Sequence, residues 1–215
     1  MTTGDADATV AALLDRHGET FAEEIGLDLH QGASDALFQW LVAAQLYSAR
    51  ISADLATRAA RALIDAGLGT PRAMCEAGWE KRVKVLNENG YARYDERTAS
   101  MLGDLCARLH ERWHDDLRRL RAAAEGDPDR IERFIEEFKG VGPTGAAIFR
   151  REAQDPWPEL RPFADKLALK EAETLGLPAD AAELERLAPE GRFTQLIAAL
   201  VRTALARDED AVAGA

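Results

Sequence analysis

Apolar side chains recur along this chain at three- and four-residue intervals. In Asp129-Arg130-Ile131-Glu132-Arg133-Phe134-Ile135-Glu136-Glu137-Phe138 they stand at Ile131, Phe134, Ile135 and Phe138, the i, i+3, i+4, i+7 stripe of an amphipathic helix. The same periodicity runs from end to end, and no alternating apolar–polar run bounded by turn residues gives a strand. Ser34, Ser52 and Thr70 are placed as N-caps, the last with Pro71 at the first helical position, and Gly67, Gly78 and Gly90 stand where helices stop. The loop Asp155-Pro156-Trp157-Pro158 is the clearest break, and helices are predicted near 164–175, 181–188 and 191–206. The expected fold class is all-α, without internal repeats beyond an Ala-rich bias.

The stripe ends in Phe138-Lys139-Gly140-Val141-Gly142-Pro143-Thr144-Gly145-Ala146-Ala147. Its glycines satisfy G-x-G-x-x-G, but a dinucleotide site needs a buried strand before the first glycine, and here a helix leads in. A second helix leaves, with Pro143 suited to its first turn. The pattern is helix-hairpin-helix: glycines let the backbone approach a phosphate closely, and the N–H groups of the following helix can face it. A plain helix–helix turn with a glycine C-cap gives the same pattern.

The chain has 215 residues, 47% of them hydrophobic, enough for one large or two small domains around a real core. No apolar run is long enough to span a membrane, and the acidic start lacks the layout of a signal peptide, so a cytoplasmic location is expected. Cys75 and Cys106 are the only cysteines; both fall in helical patterns, where a cysteine usually acts as a small buried apolar residue, and neither has a partner at metal-ligand spacing. The net charge of −11 opposes nucleic-acid binding, which draws its nonspecific affinity from Lys and Arg. The acids, however, concentrate near the N-terminus, between Asp180 and Glu185 and in Asp208-Glu209-Asp210, away from Arg50, Arg93, Arg97, Lys139, Arg150, Arg151 and Lys166.

Four segments, in order, resemble the helix-hairpin-helix DNA glycosylase superfamily, the group containing endonuclease III. Phe38 to Arg50 looks like the first barrel helix and the DNA-facing loop at its end. Asn89-Gly90-Tyr91-Ala92-Arg93-Tyr94, followed by Arg97-Thr98-Ala99, looks like the wedge loop and the helix after it. The hairpin follows, and Phe163-Ala164-Asp165-Lys166-Leu167-Ala168-Leu169-Lys170, running to Leu175-Gly176-Leu177, resembles the segment carrying the essential aspartate. The resemblance implies a six-helix barrel over 35–150 with the helix-hairpin-helix at 129–153, and a second lobe from 1–34 plus 151–215. It also implies a base-excision DNA glycosylase acting as a monomer on double-stranded DNA that contains a damaged or mismatched base.

On that resemblance Asp165 is the catalytic residue, stabilising positive charge on the sugar as the base departs. Lys139, Gly140, Val141, Gly142, Thr144 and Gly145 would hold the backbone, and Arg50, Tyr91 and Arg93 would fill the gap left by a flipped nucleotide. Each has a plainer reading: Asp165 as a helix N-cap, Tyr91 as a packed loop aromatic, the arginines as solvated charges. Bifunctional members carry a lysine just after the hairpin glycines, where this chain has Thr144, which cannot form a Schiff base; a monofunctional enzyme is implied. Many relatives bind an iron–sulfur cluster through four C-terminal cysteines, so a branch without the cluster, any metal or a cofactor is expected. Lys166-Leu167 departs from the residues usual after the aspartate, and the interval from Thr144 to Asp165 is longer than in endonuclease III. The alternatives are a non-catalytic DNA-binding or damage-sensing protein and an unrelated helical scaffold.

Overall fold

The computed structural model describes residues 3–213, and every regular element in it is helical. In chain order the α-helices are α1 (Thr3–His17), α2 (Phe21–Glu24), α3 (Ser34–Tyr47), α4 (Ala53–Asp65), α5 (Pro71–Glu76), α6 (Gly78–Leu86), α7 (Asp95–Trp113), α8 (Leu117–Ala123), α9 (Pro128–Glu136), α10 (Gly142–Ala153), α11 (Lys166–Thr174), α12 (Ala181–Leu187), α13 (Phe193–Ala206) and α14 (Glu209–Ala213). A π-turn at Asn87–Tyr91 joins α6 to α7, and a 3-10 turn at Pro158–Leu160 lies between α10 and α11.

Two helices are apolar nearly all round, a composition that only full burial accommodates. In α3 the buried positions include Leu37, Phe38 and every residue from Trp40 to Leu46. In α13 they include Phe193, Thr194, Leu196 through Val201, and Thr203. Helix α3 packs on α4, α8 and α10, whereas α13 packs on α1, α10 and α11. Helix α10 therefore touches both central helices, and whatever it carries on its remaining face is held by both. The Trp40 indole N–H donates to the carbonyl of Phe149 (3.0 Å), tying α3 to α10 through a buried hydrogen bond.

The chain start is tied to α10 by Glu152, which is 1% exposed. Its carboxylate oxygens accept from the backbone N–H groups of Phe21 (3.0 Å) and Ala22 (2.7 Å), two first-turn donors of α2 that have no partner within that helix. Thr20 and Glu23 complete a capping box on the same short helix. Burial pushes the Glu152 carboxyl above the ordinary carboxylate range, against the pull of Arg151, the two N–H groups and Arg202.

Two local expectations change. Ser34 is not the cap of α3: Ala33 takes that position, and the Ser34 hydroxyl donates to Asp116 (3.2 Å), reaching the start of α8. Cys75 and Cys106, read as two separate buried apolar residues, form a disulfide between α5 and α7 with Cα atoms 5.9 Å apart, and Cys75 lies at the surface. Ser52 and Thr70 do cap α4 and α5, accepting from the N–H groups of Leu55 (3.3 Å) and Ala73 (3.1 Å).

Candidate active site

Helix α9 starts with Asp127 accepting from the N–H groups of Asp129 (2.9 Å) and Arg130 (3.2 Å), with Pro128 at the first helical position. Its stripe buries Ile131, Ile135 and Phe138 and delivers the chain into the hairpin. There the Val141 N–H donates to the Phe138 carbonyl (3.1 Å), and the Gly145 N–H to the Val141 carbonyl (3.1 Å) as α10 begins. Gly140 (φ 90°) and Gly142 (φ 57°) both lie in the left-handed region that side chains disfavour. The reasons differ. A Cβ on Gly140 would stand 2.6 Å from both Gln45 Nε2 and Met101 Sδ, whereas one on Gly142 would meet nothing within 4 Å. Gly142 thus faces open space at the start of a helix that has no side-chain cap.

The hairpin is less of a uniform clamp than its sequence suggests. Val141 is 3% exposed, and its side chain is an anchor in the core. Gly145 is buried too: a Cβ there would lie 2.8 Å from Val141 Cγ1, so this glycine serves close packing of the turn rather than a surface. Lys139 pairs with Asp104 (2.8 Å), and Arg150 pairs with Glu132 (2.8 Å) while its guanidinium lies 4.3 Å from the Phe163 ring centroid. Glu137 is gripped by Arg108 and Arg112.

One face of α10 turns toward a pocket of about 610 Å³. Thr144, Ala147, Ile148 and Arg151, spaced i, i+3, i+4, i+7, supply that face, and Phe21, Tyr47, Ile51, Phe163, Val201 and Leu205 supply apolar walls. Asp165, Lys166 and Leu167, from the N-terminal end of α11, complete it. Leu167 and Leu205 are 39% and 53% exposed, large apolar residues left on the surface where they line this pocket. The Tyr47 hydroxyl shares a hydrogen bond with Thr57 (2.8 Å), and burial raises its pKa further above the ordinary phenol range, so it stays neutral.

Asp165 occupies two roles at once. One oxygen, Oδ1, accepts from the N–H groups of Leu167 (3.0 Å) and Ala168 (3.1 Å) and caps α11. The other, Oδ2, accepts from Arg151 Nη1 at 2.7 Å. The side chains are 11% and 5% exposed, so this ion pair is largely sealed from solvent. The carboxylate is thereby locked in one rotamer on the pocket wall. The N-cap, offered as the plainer alternative for Asp165, and its place in the pocket wall are both present.

Two solved structures of endonuclease III with DNA, a trapped covalent intermediate in an estranged-adenine complex and a non-covalent complex, superpose on this chain. Each gives a TM-score of 0.57 at 15% identity, covering 94% of this chain and 86% of the other. The chain has an endonuclease III-like fold. No protein-family model matches it, and no curated protein matches it in sequence.

Within this endonuclease III-like fold the other sequence candidates fall in different places. Arg50 is exposed just before Ile51, which lines the pocket, and Arg93 is exposed with its guanidinium 5.4 Å from the Tyr94 ring centroid. Tyr91 is 2% exposed, its ring meeting Tyr94 edge-on at 6.3 Å, because the π-turn directs it inward as a packed loop aromatic. Among the described residues no group of three or more His, Cys, Asp or Glu side chains could hold a metal. The residue that sequence reasoning misplaced is Arg151, counted among the DNA-facing charges but buried beneath Asp165. Its signal was present: it stands seven residues after Thr144, on the same helical face.

Proposed function

We propose that the protein is a DNA glycosylase that hydrolyses the N-glycosidic bond of a damaged or mismatched base flipped out of double-stranded DNA. The observation that carries this reading is the placement of Asp165 and Thr144 in the walls of one ligand-sized pocket, directly behind the glycine hairpin. Cleavage leaves positive charge on the sugar, and a fixed, largely desolvated carboxylate stabilises it. The open side of Gly142 and the uncapped start of α10 suit a phosphate, and endonuclease III, whose fold this chain shares, is bound to DNA in both solved structures. The reading takes 35–150 as the barrel and 1–34 with 151–215 as the second lobe, so that the pocket is the cleft between them.

The enzyme is monofunctional on this proposal, because a hydroxyl at Thr144 forms no imine. Incubation with duplexes carrying a panel of single damaged or mismatched bases should yield abasic sites that break only on alkali treatment. Borohydride should trap no covalent complex; efficient trapping would refute monofunctionality. The ion pair between Arg151 and Asp165 favours a second reading, a DNA-binding protein without chemistry, since Arg151 offsets the carboxylate's charge. Duplex binding without release of any base from the panel selects that second reading.

A further inference from the structure

We propose that Arg151 is the specificity-determining residue of this pocket: it meets the departing base, and the pocket takes neutral bases that leave as anions through a ring carbonyl rather than cationic alkylated purines. This rests on the glycosylase reading and extends it to a substrate class.

A guanidinium has five N–H donors. The Arg151 side chain is 5% exposed, and among the described residues its one side-chain hydrogen bond is Nη1 to Asp165; Nε is sealed without an acceptor, whereas Nη2 has no partner and is not among the fully sealed atoms. Its guanidinium also lies over an aromatic face, the Phe21 ring centroid at 4.9 Å, and within electrostatic reach of the buried Glu152 carboxyl. Leaving donors of a buried cation unfilled is costly, and a molecule that supplies an acceptor to Nη2 recovers part of that cost. The donor left for a ligand is thus Nη2, on a residue of the pocket wall beside the carboxylate assigned to the sugar.

The pair matches the charges that hydrolysis separates. As the C1′–N bond breaks, its electron pair moves to the base nitrogen and delocalises onto a ring carbonyl oxygen, leaving the sugar cationic. Asp165 faces the cation and Arg151 the anion. A water oxygen then bonds to C1′, and the proton it sheds is balanced by protonation of the base, giving a free neutral base and a hydroxyl at C1′. A cationic alkylated purine leaves without net negative charge, so Arg151 has nothing to stabilise. The pocket adds no compensating attraction for such a cation, since its ionic groups are two of each sign: Arg151, Lys166, Asp165 and Glu132.

The test is single-turnover base release from duplexes containing uracil, 5-fluorouracil or 7-methylguanine, by the wild type, Arg151→Lys and Arg151→Gln, with thermal unfolding of each variant as the check on folding. The wild type should release the two uracils and leave 7-methylguanine. Arg151→Gln should slow uracil release by about 100-fold, the cost of losing one anion-stabilising donor, and slow 5-fluorouracil, the more acidic leaving group, less. Arg151→Lys should fall between. Wild-type preference for 7-methylguanine, or an equal loss on both uracils, overturns the inference while the glycosylase reading stands. Release of no base by the wild type, here and across the wider panel, removes both.

Discussion

Asp165 serves three hydrogen bonds with two oxygens, and an amide cannot replace it. If the single oxygen of Asp165→Asn caps α11, its NH2 faces Arg151, donor against donor; if the oxygen faces Arg151, the cap is lost. Breaking a buried pair leaves an uncompensated charge, and with Asp165 11% exposed we expect a loss of about 2–3 kcal/mol in denaturant unfolding. The double variant Asp165→Asn/Arg151→Met should recover at least half of it, because the orphaned charge is gone. An Asp165→Asn protein as stable as wild type would contradict the geometry. On a processed substrate the same variant should retain duplex binding and lose base release by about 100- to 1,000-fold.

Among the elements, the hairpin and α2 give separable outcomes. Gly142→Ala adds a methyl into open space at a left-handed position, costing about 1–2 kcal/mol, and should weaken binding to any duplex in a fluorescence anisotropy titration. Gly140→Ala adds a collision with Gln45 and Met101 and should destabilise the fold more, as read by thermal unfolding. Reversal of that order would mean that Gly140, not Gly142, faces the open side. For α2, the raised Glu152 pKa fixes a pH dependence. The folded protein holds this proton more tightly than the unfolded chain, so stability is full below the ordinary carboxyl pKa of about 4.3 and declines as pH climbs through the raised folded value. Unfolding free energies measured against pH should show this decline in the wild type and a flatter curve in Glu152→Gln.

At the scale of the whole molecule, charge limits affinity. With a net charge of −11, and with Lys139 and Arg150 paired to Asp104 and Glu132, few cations face a phosphate backbone. Arg50, Arg93 and Arg97 are exposed. About three phosphate contacts predict a slope of log K against log salt of about −3 for duplex binding. A slope of about −4.5 would show that the two pairs open and that their cations join the interface. The disulfide between Cys75 and Cys106 acts at this scale too, joining α5 to α7 across 31 residues of chain.

The helices, the hairpin and two of the three N-caps were legible in the sequence because their causes are local. A stripe such as Ile131, Phe134, Ile135 and Phe138 needs only the 3.6-residue turn, a cap such as Thr70 only its own next three residues, and the left-handed glycines only their missing Cβ. Periodicity also put Thr144 and Arg151 on one face of α10 without saying what that face meets. The approach of α11 decided that: it set Asp165 against Arg151, fourteen positions away, and turned a charge read as DNA-facing into a buried partner. Likewise the π-turn sent Tyr91 inward, and the packing of α5 on α7 joined Cys75 to Cys106. The sequence by itself determined the elements and the residue types at the site, whereas only the tertiary structure decided which side chains meet, because burial and ion pairing depend on neighbours that local spacing does not specify.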